Sequence, residues 1–300
     1  MFICWSLSTF SDKEWTRGVD SVSFFHPTEA DTDEWCRVAK KAGMDYILFL
    51  TKHHDGFCLW DTKTTAWKVT NSPLHEDVLA RLQRSCKKYG LKLALYFSEA
   101  DWTWIPKDLK PGDFVDQEKY WTMGRNAELK KAQLKELCTE YGPIAYFWLD
   151  HAQSDGGLSH AATAAWIKQF QPGCLVGFNN GETAGDIRLG EMGKPGPLED
   201  PGGGGPYNKV TYKGFKKAEF TYPILGGQRW FYTSPANDTV CVTARHIFDD
   251  YEGARKYGNF FALDVGPGRD GKLRPIDVKT LMAVGDMIRA ATPSSNSSPD

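Results

Sequence analysis

Several features that would have fixed the class of this chain at once are missing from its 300 residues. No apolar run approaches the ~20 residues of a membrane-spanning helix. Neither charge is in excess: 36 Lys and Arg against 38 Asp and Glu leave a formal net charge of −2. Nucleic acid and anionic membrane are therefore not indicated as partners. The seven cysteines (Cys4, Cys36, Cys58, Cys86, Cys138, Cys174, Cys241) are scattered and form no C-x-x-C pair. They read as small buried hydrophobes in a reducing setting, not as a disulfide framework. No H-E-x-x-H or H-x-x-x-H spacing occurs, so no metal is expected. No G-x-G-x-x-G follows a strand and opens a helix, so no dinucleotide cofactor is expected either. The opening "MFICWSLSTF" has no basic n-region and no small-residue cleavage site, and it reads as the middle of a strand, not as a signal peptide. The compartment stays open, cytoplasmic or exported, the chain being a fragment or a form without its upstream residues. Nothing in the sequence speaks to oligomeric state.

What the chain does have is aromatic rings and alternation. Eleven Trp, twelve Tyr and seventeen Phe make up 13% of it. That supports a rich core or a sugar site, where aromatic faces stack on the C–H face of a pyranose. Short runs apolar on nearly every residue recur at 44–51, 91–98, 144–150, 174–180 and 259–265, with "MFICWS" of the same type and "GQRWFYT" (227–233) a weaker seventh. Such runs read as strands buried on both faces. Helix-periodic segments lie between them, at 32–42, 77–89, about 116–141, 161–169, 244–257 and 275–290. Strand–helix alternation on this scale predicts a parallel sheet closed into a (β/α)8-like TIM barrel. The Gly- and Pro-rich stretch 181–217 fits no element, and "DPGGGGPY" (200–207) reads as a loop over the site.

In a barrel, chemistry collects at the C-terminal ends of the strands. Those ends are polar here. The second run ends in "KHHDGFCLW" (52–60), with His53, His54 and Asp55. The third offers Tyr96, Ser98, Glu99, Asp101 and Trp102. The fourth offers Trp148, Asp150 and His151. The fifth offers Asn179 and Asn180, followed by Glu182, Asp186, Arg188 and Glu191, while Glu14 and Trp15 follow the first. His53 and His54 can be read as caps on backbone carbonyls, as metal ligands or as ligands for hydroxyls. Asp150, an acid ending an apolar strand two residues after Trp148, is the best nucleophile candidate. Two carboxylates facing one sugar pocket would carry glycoside hydrolysis.

These residues also carry a resemblance. "TKHHDGFCLWDTKTTAWKVTNSP" (51–73) closely resembles the signature of glycoside hydrolase family 29, the α-L-fucosidases. "STFSDKEW" (8–15) looks like the first-strand loop of the subfamily acting on α-1,3/4-linked fucose. "LKLALYFS" (91–98), "AYFWLD" (145–150) and "NFFALDVGPGRDGKL" (259–273) resemble the family's third, nucleophile and last strands. The resemblance implies a retaining exo-α-L-fucosidase acting on fucosylated oligosaccharides or glycoconjugates. Asp150 would be the nucleophile. His53, His54, Tyr96, Trp148, Glu14, Trp15, Trp60 and Trp230 would surround the sugar. "GDIRLGE" (185–191) resembles the subfamily's acid/base segment and points to Glu191, with Glu219 and Glu199 as rivals. Three positions depart from the family pattern: Cys4 stands where a histidine is usual, His151 where Gly follows the nucleophile, and Gly181 where many members have arginine. The departures keep two other readings open, a fucose-binding barrel without turnover and a barrel glycosidase for a related sugar such as a galactoside. The implied plan is a catalytic barrel over 1–290 and a polar tail over 291–300, with no counterpart of the C-terminal β-sandwich that many members carry.

Overall fold

The longest apolar runs become three adjacent strands, β2 (Tyr46–Lys52), β3 (Lys92–Ser98) and β4 (Ile144–Asp150). In this computed structural model, which describes residues 1–105, 124–151, 154–179, 185–198, 214–232, 234–235 and 239–291, the remaining strands are shorter or more polar. They are β1 (Phe2–Ile3), β5 (Leu175–Phe178), β6 (Ile187–Arg188), β7 (Lys217–Pro223) and β8 (Phe260–Asp264). Among the described residues the eight strands pair in sequence order and close into a barrel. Every pairing is parallel, and β1 returns to β8 through Phe2 and Asp264. The (β/α)8 expectation therefore holds.

Parallel neighbours need crossovers, and helices with legible ends supply them. The side chains of Asp31, Asp77, Asn126, Ser159 and Thr243 each accept a backbone N–H from the first turn of the helix they precede. Those helices are Thr32–Lys41, Val78–Tyr89, Ala127–Glu140, His160–Phe170 and Ala244–Tyr257. Gly90 and Gly258 close two of them with φ of 64° and 66°, a conformation that suits glycine. Pro275–Ala291 is the last helix. No described helix is long and apolar enough to cross a membrane.

Two strand expectations need correction. "GQRWFYT" is not a strand: residues 227–232 form turns and irregular backbone, and the strand lies earlier, at Lys217–Pro223. Both of its faces are buried, and one of them carries the polar Glu219 and Thr221, so no apolar run marks it. β6, inside the stretch read as loop, is two residues long and too short to carry a period. The start of the helix expected from 116, the loop 200–207, Glu199, Asn180, Gly181 and Glu182 lie outside the described residues.

Candidate active site

Side chains two apart on a strand share a face. The register sets Tyr96 beside Trp148 and Ser98 beside Asp150, so β3 and β4 contribute two successive layers at the barrel mouth. The Tyr96 and Trp148 rings stack at 5.3 Å with an 18° interplanar angle. Phe2 lies 5.8 Å from Tyr96 and 6.1 Å from Trp230, completing an aromatic floor.

Asp150 stands above that floor, 8% exposed. Its Oδ2 accepts the Tyr96 hydroxyl at 2.5 Å. Its Oδ1 accepts the backbone N–H of His151 at 2.8 Å and the Asn179 amide at 2.9 Å. Three donors converging on one carboxylate fix its orientation. The same Asn179 Nδ2 donates to Glu191 Oε2 at 2.8 Å. Two bonds from one nitrogen keep those carboxylate oxygens under about 6 Å apart, consistent with the ~5–5.5 Å separation of retaining glycosidases.

The paired histidines follow Lys52 directly. His54 Nδ1 meets Ser98 Oγ at 2.6 Å, and Ser98 gives its one hydroxyl proton to the Ala100 carbonyl at 2.6 Å. The Nδ1 therefore carries the ring proton, and the Nε2 lone pair faces Asp150 Oδ2 at 3.7 Å. Burial, with the neighbouring His53, His151, Arg17 and Lys52 adding to it, holds His54 well below the usual imidazole range. Burial takes His53 down to about 3. Both rings are thus neutral, as hydroxyl-binding imidazoles should be. His53 Nδ1 is buried without a partner among the described residues, and so is Asn179 Oδ1. Asp55 and Gly56 turn the chain: Asp55 Oδ1 accepts Phe57 N–H at 2.9 Å and Gly56 takes φ 74°.

Of the remaining expected residues, Glu14 and Trp230 are brought together, Glu14 Oε2 accepting the Trp230 N–H at 3.3 Å. Burial pushes the Glu14 carboxyl up to about 8, and the Glu191 charge adds to it. Trp15, next to Glu14 in sequence, is 41% exposed. Glu219, on β7, is 3% exposed. It accepts Trp148 Nε1–H and Gly190 N–H, both at 3.4 Å. Burial, reinforced by Glu191, raises it to about 8. The Trp60 ring is fully buried and its Nε1 donates to Glu136 of the Ala127–Glu140 helix at 2.9 Å, so it packs that helix onto the barrel. Asp186 and Arg188 do not pair. Asp186 binds Lys168 and Lys216, and Arg188 is buried with one nitrogen 3.4 Å from the Pro197 carbonyl.

Sequence reasoning placed Asn179 on the rim but gave it no role, and nothing in "FNN" separates it from Asn180. It also passed over Lys52. That side chain is wholly buried, with Nζ 2.7 Å from Asp101 and 3.0 Å from Gln133 and stacked over the Phe97 and Trp104 rings. A second buried pair, Lys130–Glu99 at 2.6 Å, ties the same helix to the end of β3. A lysine at a strand end looks solvated unless its partners, 49 and 81 residues away, are known. His54, Asp150 and His151 also present ligand-type atoms within 4.8 Å of one another. The spacing search could not find that set, because its members come from two strands.

Two carboxylates bridged by one amide thus lie beside neutral imidazoles at the mouth of a closed (β/α)8 barrel. Comparison with known proteins gives the family: the α-L-fucosidase family model matches residues 8–292, and the chain belongs to that family. It is 29% identical to alpha-L-fucosidase 1 of Arabidopsis thaliana over 96% of this chain and 57% of that protein. Against the tissue alpha-L-fucosidase of Homo sapiens it is 31% identical over 88% and 53%. A glycoside hydrolase 29 family member from an unknown rumen bacterium superposes with TM-score 0.73 at 29% identity, over 96% of this chain and 54% of that one. The chain spans about half the length of these relatives.

Proposed function

We propose that the protein is a retaining exo-α-L-fucosidase, with residues 1–290 as its catalytic barrel. The observation that carries this is the Asn179 amide holding Asp150 and Glu191 at one sugar-sized distance. Asp150 attacks the anomeric carbon of a terminal α-L-fucosyl residue while Glu191 gives its proton to the departing glycosidic oxygen. The fucosyl–Asp150 ester that results is then cleaved by a water whose proton returns to Glu191, and the configuration is retained. His53 and His54 accept fucose hydroxyl protons through unprotonated nitrogens. Tyr96 holds Asp150 at the angle of attack, and the Trp148, Trp230 and Trp15 rings offer apolar faces to the sugar.

Glu191 is preferred over Glu219 because it shares Asn179 with the nucleophile, whereas Glu219 bonds Trp148 and the Gly190 backbone in the floor. Glu199 lies outside the described residues. The "STFSDKEW" and "GDIRLGE" segments favour α-1,3 and α-1,4 linkages, which a screen of α-1,2, α-1,3, α-1,4 and α-1,6 fucosides would examine. The deciding experiment measures Asp150→Ala against an aryl α-L-fucoside with and without azide. Loss of turnover, partly restored by azide as fucosyl azide of inverted configuration, is expected. Turnover near that of the unaltered chain would sink the assignment.

A further inference from the structure

The corner around Asp150 offers more than a nucleophile. We propose that His54, Asp150 and His151 form a site for a divalent transition-metal ion of the zinc type, and that the ion, once bound, blocks sugar entry by capping the nucleophile.

Donor type and spacing carry this. Two imidazole nitrogens and a carboxylate oxygen lie within 4.8 Å of one another. Tetrahedral zinc with bonds of ~2.0–2.1 Å sets its ligands about 3.4 Å apart. His54 Nε2 and Asp150 Oδ2 are already 3.7 Å apart, and the two imidazole rings lie 4.4 Å apart at 85°. A small rotation of the half-buried His151 ring would complete the set.

The surroundings match a metal site as well. A ligating imidazole is normally held by a hydrogen bond from its other nitrogen. His54 has this hold through Nδ1–H to Ser98, which passes its own proton to Ala100. The carboxylate is steadied by Tyr96, Asn179 and the His151 backbone N–H. His54 Nε2 and Asp150 Oδ2 face each other at 3.7 Å, where the proposed function seats a fucose hydroxyl. A metal ion and the sugar hydroxyl therefore compete for one place. His151 reaches it because its backbone takes φ 54°, unusual for a residue with a side chain.

The test uses Zn²⁺ and Co²⁺ as probes with the whole chain. Zn²⁺ should inhibit aryl fucoside hydrolysis competitively, and EDTA should reverse it. Glycine tolerates the φ of position 151, so His151→Gly should fold. Whatever its basal rate, its inhibition constant should rise by at least about tenfold. Co²⁺ should give the intense visible bands of a four-coordinate ion, lost on adding L-fucose and weakened in Ser98→Ala by about 10–100-fold in affinity. An unchanged inhibition constant in His151→Gly overturns the proposal, as does a Co²⁺ spectrum indifferent to fucose and to Ser98→Ala. The Co²⁺ spectrum and the Ser98→Ala comparison do not require turnover. A chain that hydrolyses no fucoside yet shows the spectrum and its Ser98→Ala weakening would break the proposed function and leave this site standing.

Discussion

The two carboxylates of the site sit on opposite kinds of support. Asp150 ends a seven-residue strand flanked by β3 and β5, with paired residues along much of its length. The buried Lys52–Asp101 and Lys130–Glu99 pairs brace the loops beside it. Glu191 follows a two-residue strand and meets β7 through a single bridge to Thr221. Asn179, just after β5, hydrogen-bonds both acids. The nucleophile side is therefore rigid by construction, and the acid/base side is aligned to it across a seam. This suits the roles, since attack demands a fixed line while a proton donor must follow both a leaving group and an incoming water.

The largest effect should come from the rigid side. Asp150→Ala should lower kcat for an aryl fucoside by about 10⁴-fold or more, because the carboxylate that forms the ester is removed. Glu191→Ala should cost ~10²–10⁴-fold on substrates whose leaving group needs a proton. The loss should shrink on an activated aryl fucoside, and azide should restore turnover with retained configuration. If Glu219→Ala shows that rescue and Glu191→Ala does not, the acid/base has been misassigned. A scaffold break comes next. Lys52→Ala leaves Asp101 buried without its cation and should destabilise the fold by about 3–5 kcal/mol, measured by urea unfolding. A change under about 1 kcal/mol would mean the pair is not structural.

How far the sequence could be read follows the same division. β2, β3 and β4 were plain because both faces are apolar, and their ends named His53, His54, Tyr96, Trp148 and Asp150 in advance. The resemblance to the fucosidase signature pointed to the same residues. β6 and β7 were missed because one is too short for a period and the other hides Glu219 and Thr221 inside. Nothing in the sequence around Trp60 signals that its indole reaches a helix carboxylate 76 residues away. Asn179 had no signal beyond position: bridging two acids is a fact of three-dimensional spacing that local sequence does not encode.

Breaking the seam itself should have a middling effect. Asn179→Ala removes one hydrogen bond to each carboxylate, each worth about 1.5–3 kcal/mol when the acceptor is charged. Part of that is recovered by water, so a ~10–100-fold loss in kcat/KM is expected. The loss should be at least as large for poor leaving groups as for good ones, since Glu191 loses its alignment too. An equal rise in KM with kcat intact would instead make Asn179 a sugar ligand alone.

The smallest effect tests the floor beneath the seam. Glu219 is raised from 4.5 to about 8, chiefly by burial. Its folded pKa therefore lies above its unfolded one, and the folded state binds the extra proton. The resulting stability is fully present below about pH 4.5 and is lost as pH rises through about 8. Glu14 acts in the same sense over the same window. Glu219→Gln keeps an oxygen to accept from Trp148 and Gly190 but cannot ionise. Its Tm should fall less steeply between pH 4.5 and 8 than that of the unaltered chain, with Glu14 supplying the slope that remains. Turnover at neutral pH should survive the change, because the floor carboxyl is already protonated there. A parallel Tm profile in the variant would show that Glu219 is ionised in the folded protein and would reopen its claim to the acid/base role.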